Sequence, residues 1–389
     1  MNAKTEGKQP RQSNLELLRV LSMLLVLFSH CDDFFGLNGL YSKTLGFRKL
    51  ITDGLNLGGQ IGVGCFILIS GYFMVQQHFS LKRMLKLLGE VWFYTITIWL
   101  IWVIVSAVQG TLTGADLVTN TRLAFFPVLF RNYWFVTAYV ILTVLSPFLN
   151  KLIFSLNRKE YGVFLSCLIT IFVVIQGSIP SAFEEMSTGR LPPLVLIYLI
   201  AGYIRRFGRI RPEHARRHLT IALISWAALF LVTWIITFAG VMLKNKAVLG
   251  FRYFYRSLNS PFIVISVVEL FLGFLELQIE PNRLINGAAS CTFGVFLIHG
   301  NRLSKPLLSL LFPLYKIVFA PLLLVCSLLA AAVIYSVCSA IDWVRQQTVG
   351  RWWNNLIDRH ADALQTRALF LAGKVGEKAK TMLKHYYGD

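Results

Sequence analysis

The chain is a succession of apolar runs separated by short polar or basic stretches. The runs fall near residues 14–35, 56–77, 87–108, 132–155, 161–180, 191–204, 219–243, 258–279, 286–304 and 312–340. Most are about as long as a helix must be to cross a hydrocarbon layer, roughly 20 residues. The pattern predicts an all-α, polytopic integral membrane protein, a bundle of about ten transmembrane helices with both termini on the same side. Two runs differ from the rest. The one at 191–204 is short and follows Pro192-Pro193, and the one at 286–304 is marginal and polar, so each could be a partly re-entrant helix.

Local signals refine these elements. Ser13 and Glu16 have the spacing of a capping box at the start of the first helix. Pro147 should kink the fourth helix, and Pro261 fits the first turn of the eighth. Gly58 and Gly62 share one helix face and should permit close packing against a neighbour. Tyr133-Trp134 sit where an aromatic belt belongs. After about residue 342 the chain turns polar and basic, with Trp343, Trp352, Trp353, Leu356 and Ile357 among the charges, as in an interfacial amphipathic helix. Three segments follow: 1–13, a cytoplasmic lead; 14–341, the transmembrane unit; and 342–389, a cytoplasmic basic and amphipathic tail. No internal repeat is visible.

Composition narrows the class. Apolar residues make up 56% of the 389 positions, only 15% are charged, and the mean hydropathy is +0.61. A soluble domain of this size has no use for so much apolar surface. The polar, basic stretch before the first run is followed by no small-residue cleavage site, so that run is expected to remain as a helix. The net charge of +19 invites a nucleic-acid reading, but the basic residues cluster in short loops and at the C-terminus. That distribution follows the positive-inside rule, most clearly at Arg205-Arg206, Arg209, Arg211 and Arg216-Arg217. It places the protein in the cell membrane with cytoplasmic termini, and favours lipid headgroups and an anionic cytoplasmic ligand over nucleic acid. The six cysteines are dispersed, with neither CxxC spacing nor a disulfide framework. No metal-ligand spacing is present around His214 and His218.

Chemistry concentrates in the first run, which carries Arg19 and His30. Ionisable side chains in hydrocarbon are costly and usually mark a pathway, a ligand or a reaction. Eleven residues separate the two, about 16 Å along one helix, which puts Arg19 in the inner half and His30 towards the outer end. Glu16 lies three residues before Arg19 and could pair with it. His30 could serve as a general base, or simply snorkel at a helix end. Asp32 or Asp33 could orient it, or stand as outer-loop carboxylates in water. Glu269 and Glu276 are intramembrane carboxylates that fit a proton pathway or a pairing with arginine.

These residues form a series of motifs. Arg19 and His30 make an Arg-x10-His pair; Val63, Phe66, Ser70, Gly71 and Tyr72 follow in the second run; Arg83-x-x-Lys86 lies in the next loop. Tyr133-Trp134, Tyr139 and Ser146-Pro147 mark the fourth run, and Ser290–His299 comes near the end. In this order the chain resembles the membrane-bound acyltransferase-3 family across residues 14–340. It departs from the family pattern at Lys86, where a second arginine is usual, at Gly89, where many members have proline, and at Phe296, where the late motif has tyrosine.

The resemblance implies an enzyme that takes an acyl group, usually acetyl, from cytoplasmic acyl-CoA and delivers it to a hydroxyl of a cell-surface polysaccharide or lipid-linked glycan. Acetyl-CoA would be a donor substrate, with no permanently bound cofactor. His30 and Arg19 would be catalytic; Arg83, Lys86 and Arg19 would hold the donor; Trp134, Tyr139 and Asp32 would meet the acceptor. His299 could serve the site or only hydrogen-bond a neighbouring helix. The bilayer and polysaccharide-assembly proteins would be further partners. Two other classes remain open at this level: a multispan transporter or flippase for a glycan or anionic substrate, which also needs intramembrane charge, and a scaffold within a polysaccharide-assembly complex.

Overall fold

The computed structural model describes residues 11–34, 46–179, 190–317 and 319–361, with residues 363, 365, 366 and 374 beyond them. Among these residues there are helices and no strands. In chain order they are α1 (Ser13–Phe34), α2 (Phe47–Asn56), α3 (Gly58–Met74), α4 (Leu81–Val108), α5 (Gly114–Phe125), α6 (Trp134–Ser155) and α7 (Arg158–Ile169), which continues as a π turn over Thr170–Ile175. After these come α8 (Leu191–Phe207), α9 (Ala215–Met242), α10 (Lys246–Phe254), α11 (Pro261–Glu276), α12 (Arg283–Ser290), α13 (Thr292–His299), α14 (Lys305–Leu311) and α15 (Ala320–Gln347). Residues 349–361 are helical again.

Six stretches among the described residues are long and apolar enough to cross a membrane: Ser13–Cys31, Phe47–Met74, Leu81–Val108, Trp134–Ser155, Pro212–Met242 and Ala320–Gln347. The other four apolar runs become shorter or interrupted helices: α7 with its π turn, α8, α11, and the pair α12–α13, broken at Cys291. α8 and α11 occupy the interior, where Leu194, Ile197, Tyr198, Val267 and Phe271 are buried. A helix with most of its surface enclosed reads as apolar whatever its length. The long helices carry the outer surface instead. Leu100, Ile101 and Ile104 on α4, Leu223, Ile224 and Leu231 on α9, and Val325 and Leu329 on α15 are all exposed. An apolar surface this broad suits lipid rather than water.

The packing of α1 on α3 depends on the glycines. A Cβ on Gly62 would run into the Ser22 carbonyl, and one on Gly59 into the Ser29 side chain. The backbones therefore approach closely, as the Gly58/Gly62 spacing anticipates. The two contacts also show that α1 and α3 are antiparallel, with His30 beside the start of α3 and the loop after Met74 at the opposite end. The N-terminal end of α1 is tied to α12. The Ser13 hydroxyl donates to Asn286 Oδ1 at 3.0 Å and accepts from the Asn282 N–H at 2.8 Å. Asn14 donates to the carbonyls of Leu275 and Leu277. The expected capping box is absent: Ser13 lies one residue inside the helix, its hydroxyl is committed to α12, and Glu16 turns to Arg19.

Pro147 sits inside α6 and cannot bond the Thr143 carbonyl; the Ser146 hydroxyl donates to that carbonyl at 2.8 Å and satisfies it. Pro261 opens α11, as expected. All six cysteines are free thiols.

Candidate functional site

His30 lies in the last turn of α1, half-buried, with Leu27 and Cys31 packed inward on either side. Its Nδ1 is 3.0 Å from Nε2 of His299, the final residue of α13. The two rings are tilted by 48° with centroids 5.2 Å apart. His299 is almost wholly enclosed, at 1% exposure, and its Nδ1 is 2.6 Å from the Val295 carbonyl. The end of α13 is fixed by α6: the Tyr133 hydroxyl donates to the Leu297 carbonyl at 2.7 Å and accepts from the Asn301 amide at 2.8 Å. Phe296 packs edge-on beneath His299 and against Phe135.

Arg19 lies three turns earlier on α1 and pairs with Glu16 at 3.2 Å, as the spacing predicts. It lines a cavity of about 270 Å³ with Met23, Val26, Val63, Phe66, Ser70, Leu87, Phe135, Tyr139, Thr292, Phe293 and Phe296. Val26 is one turn before His30, and Phe296 one turn before His299, so the cavity ends just beneath the histidine pair. A second cavity, about 130 Å³, opens at the α3–α4 loop. Its walls include Met74, His78, Ser80, Arg83, Thr143 and Ser146, and it shares Leu87 and Tyr139 with the first. Arg83, which also donates to the His78 carbonyl, thus lines a cavity that shares Leu87 and Tyr139 with the one holding Arg19.

The structure distributes the remaining candidates differently. Lys86 does not line either cavity; with Lys82 it grips Asp358 of the tail, at 2.7 and 2.8 Å. The two ammonium groups hold the Asp358 carboxyl below the usual carboxylate range. Trp353 follows the same course, donating to the Leu85 carbonyl and filling the space beside Gly89, where a Cβ would strike its indole. A residue without a side chain at position 89 is what this docking requires. Trp134 carries the Arg190 guanidinium 4.3 Å from its ring centre, and its neighbour Phe135 reaches the cavity instead. Tyr139 lies between the two cavities, its hydroxyl on the Met74 sulfur at 3.6 Å. Asp32 falls in the last turn of α1, but its side chain, like that of Asp33, lies outside the described residues.

Among the described residues, Glu269 and Glu276 meet a histidine and not an arginine side chain. His218 Nδ1 is 2.6 Å from Glu269, its Nε2 is 3.6 Å from Glu276, and the Arg211 backbone N–H donates to Glu276 at 3.0 Å. Two polar clusters were not anticipated. Lys49 and Arg256 converge on Asp53, at 2.5 and 2.8 Å, joining α2 to the segment after α10; the Lys49/Asp53 spacing on one helix was the available signal. Asp342 accepts from Tyr94 and Arg345, both at 2.7 Å, and Arg345 also pairs with Glu90. Asp342 and Arg345 lie on α15, which runs to Gln347.

The fold and the site define a helical protein with spanning-length apolar helices and a largely apolar interior cavity that holds Arg19 and lies one turn from a histidine pair. A family model described as an acyltransferase domain matches residues 12–341, and the chain belongs to the acyltransferase-3 family. It is therefore a membrane acyltransferase. No curated protein and no solved structure matches it.

Proposed function

We propose that the protein moves an acetyl group from cytoplasmic acetyl-CoA to a hydroxyl of a cell-surface polysaccharide or a lipid-linked glycan. The observation that carries this reading is the pair of cavities that share Leu87 and Tyr139, one lined by Arg83 and the other by Arg19 and by Val26, one turn before His30. A donor with an anionic head and a long uncharged arm suits such an arrangement. Its phosphates would meet Arg83, with Lys82 and Lys86 beside it, and its thioester would reach inward past Tyr139. The shorter helices α7, α8, α11 and α12–α13 would complete a bundle of about ten crossings in the cell membrane. The basic segments, the start of α4 with Arg83 among them, would then face the cytoplasm with both termini.

In the reaction His30 takes the proton of the acceptor hydroxyl as its oxygen attacks the thioester carbon. The C–O bond forms, the C–S bond breaks, and the proton passes from His30 to the departing sulfur of CoA. Arg19 supplies positive charge within the cavity for the donor or for the negative oxygen of the tetrahedral intermediate, and Glu16 fixes its guanidinium. Purified protein given radiolabelled acetyl-CoA and surface glycan should transfer label to the glycan. The His30→Ala variant should express and insert normally and transfer none. Full acetylation by that variant, seen by NMR of the isolated polysaccharide, would overturn the assignment.

A further inference from the structure

We propose that His299 is a positioning residue that fixes the tautomer of His30, holding the proton on Nδ1 and leaving Nε2 as the basic atom. The inference rests on the acyl-transfer reading above and adds to it the residue through which the base is oriented.

The argument follows from donor and acceptor chemistry. A carbonyl oxygen only accepts, so the 2.6 Å contact between His299 Nδ1 and the Val295 carbonyl places a proton on that nitrogen. A neutral imidazole carries one N–H, so Nε2 of His299 holds a lone pair and must accept. Its partner at 3.0 Å is Nδ1 of His30, which therefore donates. In a neutral His30 the lone pair is then on Nε2. The Nδ1–H tautomer is not the form a solvated histidine favours, so the protein has to impose it.

The surroundings make that imposition firm. His299 is almost completely enclosed, and its backbone is held by the Tyr133–Leu297 and Tyr133–Asn301 hydrogen bonds. The Val295 carbonyl belongs to its own helix one turn back, so ring and acceptor move together. A neutral acceptor also suits an apolar interior. A carboxylate in this position would orient His30 equally well but would bury a charge among Phe296, Leu297 and Val295. When Nε2 of His30 takes the acceptor proton, the Nδ1–H bond to His299 becomes charge-assisted and strengthens. His299 itself neither gains nor loses a covalent bond.

The test compares His299→Leu, which removes the acceptor, with His299→Gln, whose amide oxygen can occupy the Nε2 position. In the full-length protein, His299→Leu should lower kcat roughly 100-fold and leave KM for acetyl-CoA within about twofold, because the donor end of the path is untouched. His299→Gln should recover most of the loss. Nitrogen NMR of labelled histidine should show His30 protonated on Nδ1 in the parent chain and in His299→Gln, and shifted towards Nε2 protonation in His299→Leu. A proton on Nε2 of His30 in the parent overturns the proposal whatever the activities. So does parental kcat in His299→Leu beside an inactive His30→Ala. Full activity of His30→Ala would instead overturn the acyl-transfer reading and take this assignment with it.

Discussion

Nδ1 of His30 lies 3.0 Å from Nε2 of His299, across 269 residues of sequence. The contact joins the last turn of α1 to the last residue of α13, and the N-terminal end of α1 is tied to α12, the helix just before α13, through Ser13, Asn282 and Asn286. The pair therefore sits at one end of two cross-tied segments, α1 and α12–α13, and small shifts in either would change its geometry. Replacing Asn286 with Ala removes one tie. It should lower the thermal unfolding midpoint of the detergent-purified protein by the equivalent of about 1 kcal/mol, and should reduce kcat more than it raises KM. Unchanged kinetics in a destabilised variant would show that the two helix ends are uncoupled.

Arg19 and Glu16 form a partly enclosed ion pair, with side chains 29% and 11% exposed. Removing the arginine leaves the more buried carboxylate without its partner; removing the carboxylate leaves a cation facing the cavity. Arg19→Ala should cost roughly 1–2 kcal/mol of stability, less than a fully buried pair because water reaches the guanidinium. It should also abolish transfer. Glu16→Gln should be the milder of the two in activity, since the positive charge stays in place. Equal losses from both would assign the pair a structural role only, as read by parallel unfolding and transfer assays.

Arg83 is exposed and lines the wall of the smaller cavity. Arg83→Ala should raise the apparent KM for acetyl-CoA about tenfold, the equivalent of one charge-assisted contact to phosphate, with little change in kcat. An unchanged apparent affinity in steady-state assays would separate Arg83 from donor binding.

Part of this arrangement is legible in the residue order and part is not. The Glu16–Arg19 pair, the close approach at Gly62 and the helical class follow from local rules of spacing and side-chain size. The partner of His30 does not, because no local rule links two residues so distant in sequence. Trp134 and Phe135 show a second limit. Neighbours on a helix point about 100° apart, so an aromatic motif identifies the segment but not which ring reaches the cavity. Lys86 shows a third: the sequence places it with Arg83 in a loop, but both lie in the first turns of α4, and a basic side chain there is open to several anions; here the partner is Asp358. The number of crossings is not legible for a related reason. Burial makes much of α8 and α11 as apolar as a lipid-facing helix, and hydropathy alone does not distinguish the two environments.

The Asp358 clasp gives a pH-dependent expectation. Its carboxyl titrates below the ordinary range because Lys82 and Lys86 hold the charged form. The docking energy it contributes is therefore present above the free carboxylate value and is lost as pH falls through the lowered one. Asp358→Asn should make the helical segment 349–361 more sensitive to limited proteolysis at neutral pH, and should remove the additional sensitivity that the parent chain gains on acidification. A parent chain whose cleavage is independent of pH across that range would show that Trp353 docking alone holds the segment.

Leu87 and Tyr139 form the shared wall between the Arg83 cavity and the Arg19 cavity. If the donor arm passes this neck, its width matters more than the chemistry of either side chain. Leu87 is only partly buried, so enlarging it need not disrupt the core. Leu87→Trp should obstruct the neck and lower kcat for acetyl transfer at least tenfold without unfolding the protein, whereas Leu87→Ala should transfer at close to the parental rate. The Tyr139 hydroxyl makes only a long contact to the Met74 sulfur, so Tyr139→Phe should also be tolerated. Obstruction should spare the binding of 3′,5′-ADP, which carries the 3′-phosphate and one 5′-phosphate of CoA without the arm, because Arg83 lies on the near side of the neck. A Leu87→Trp variant that binds the nucleotide and still transfers acetyl at the parental rate would show that the thioester reaches His30 by another route.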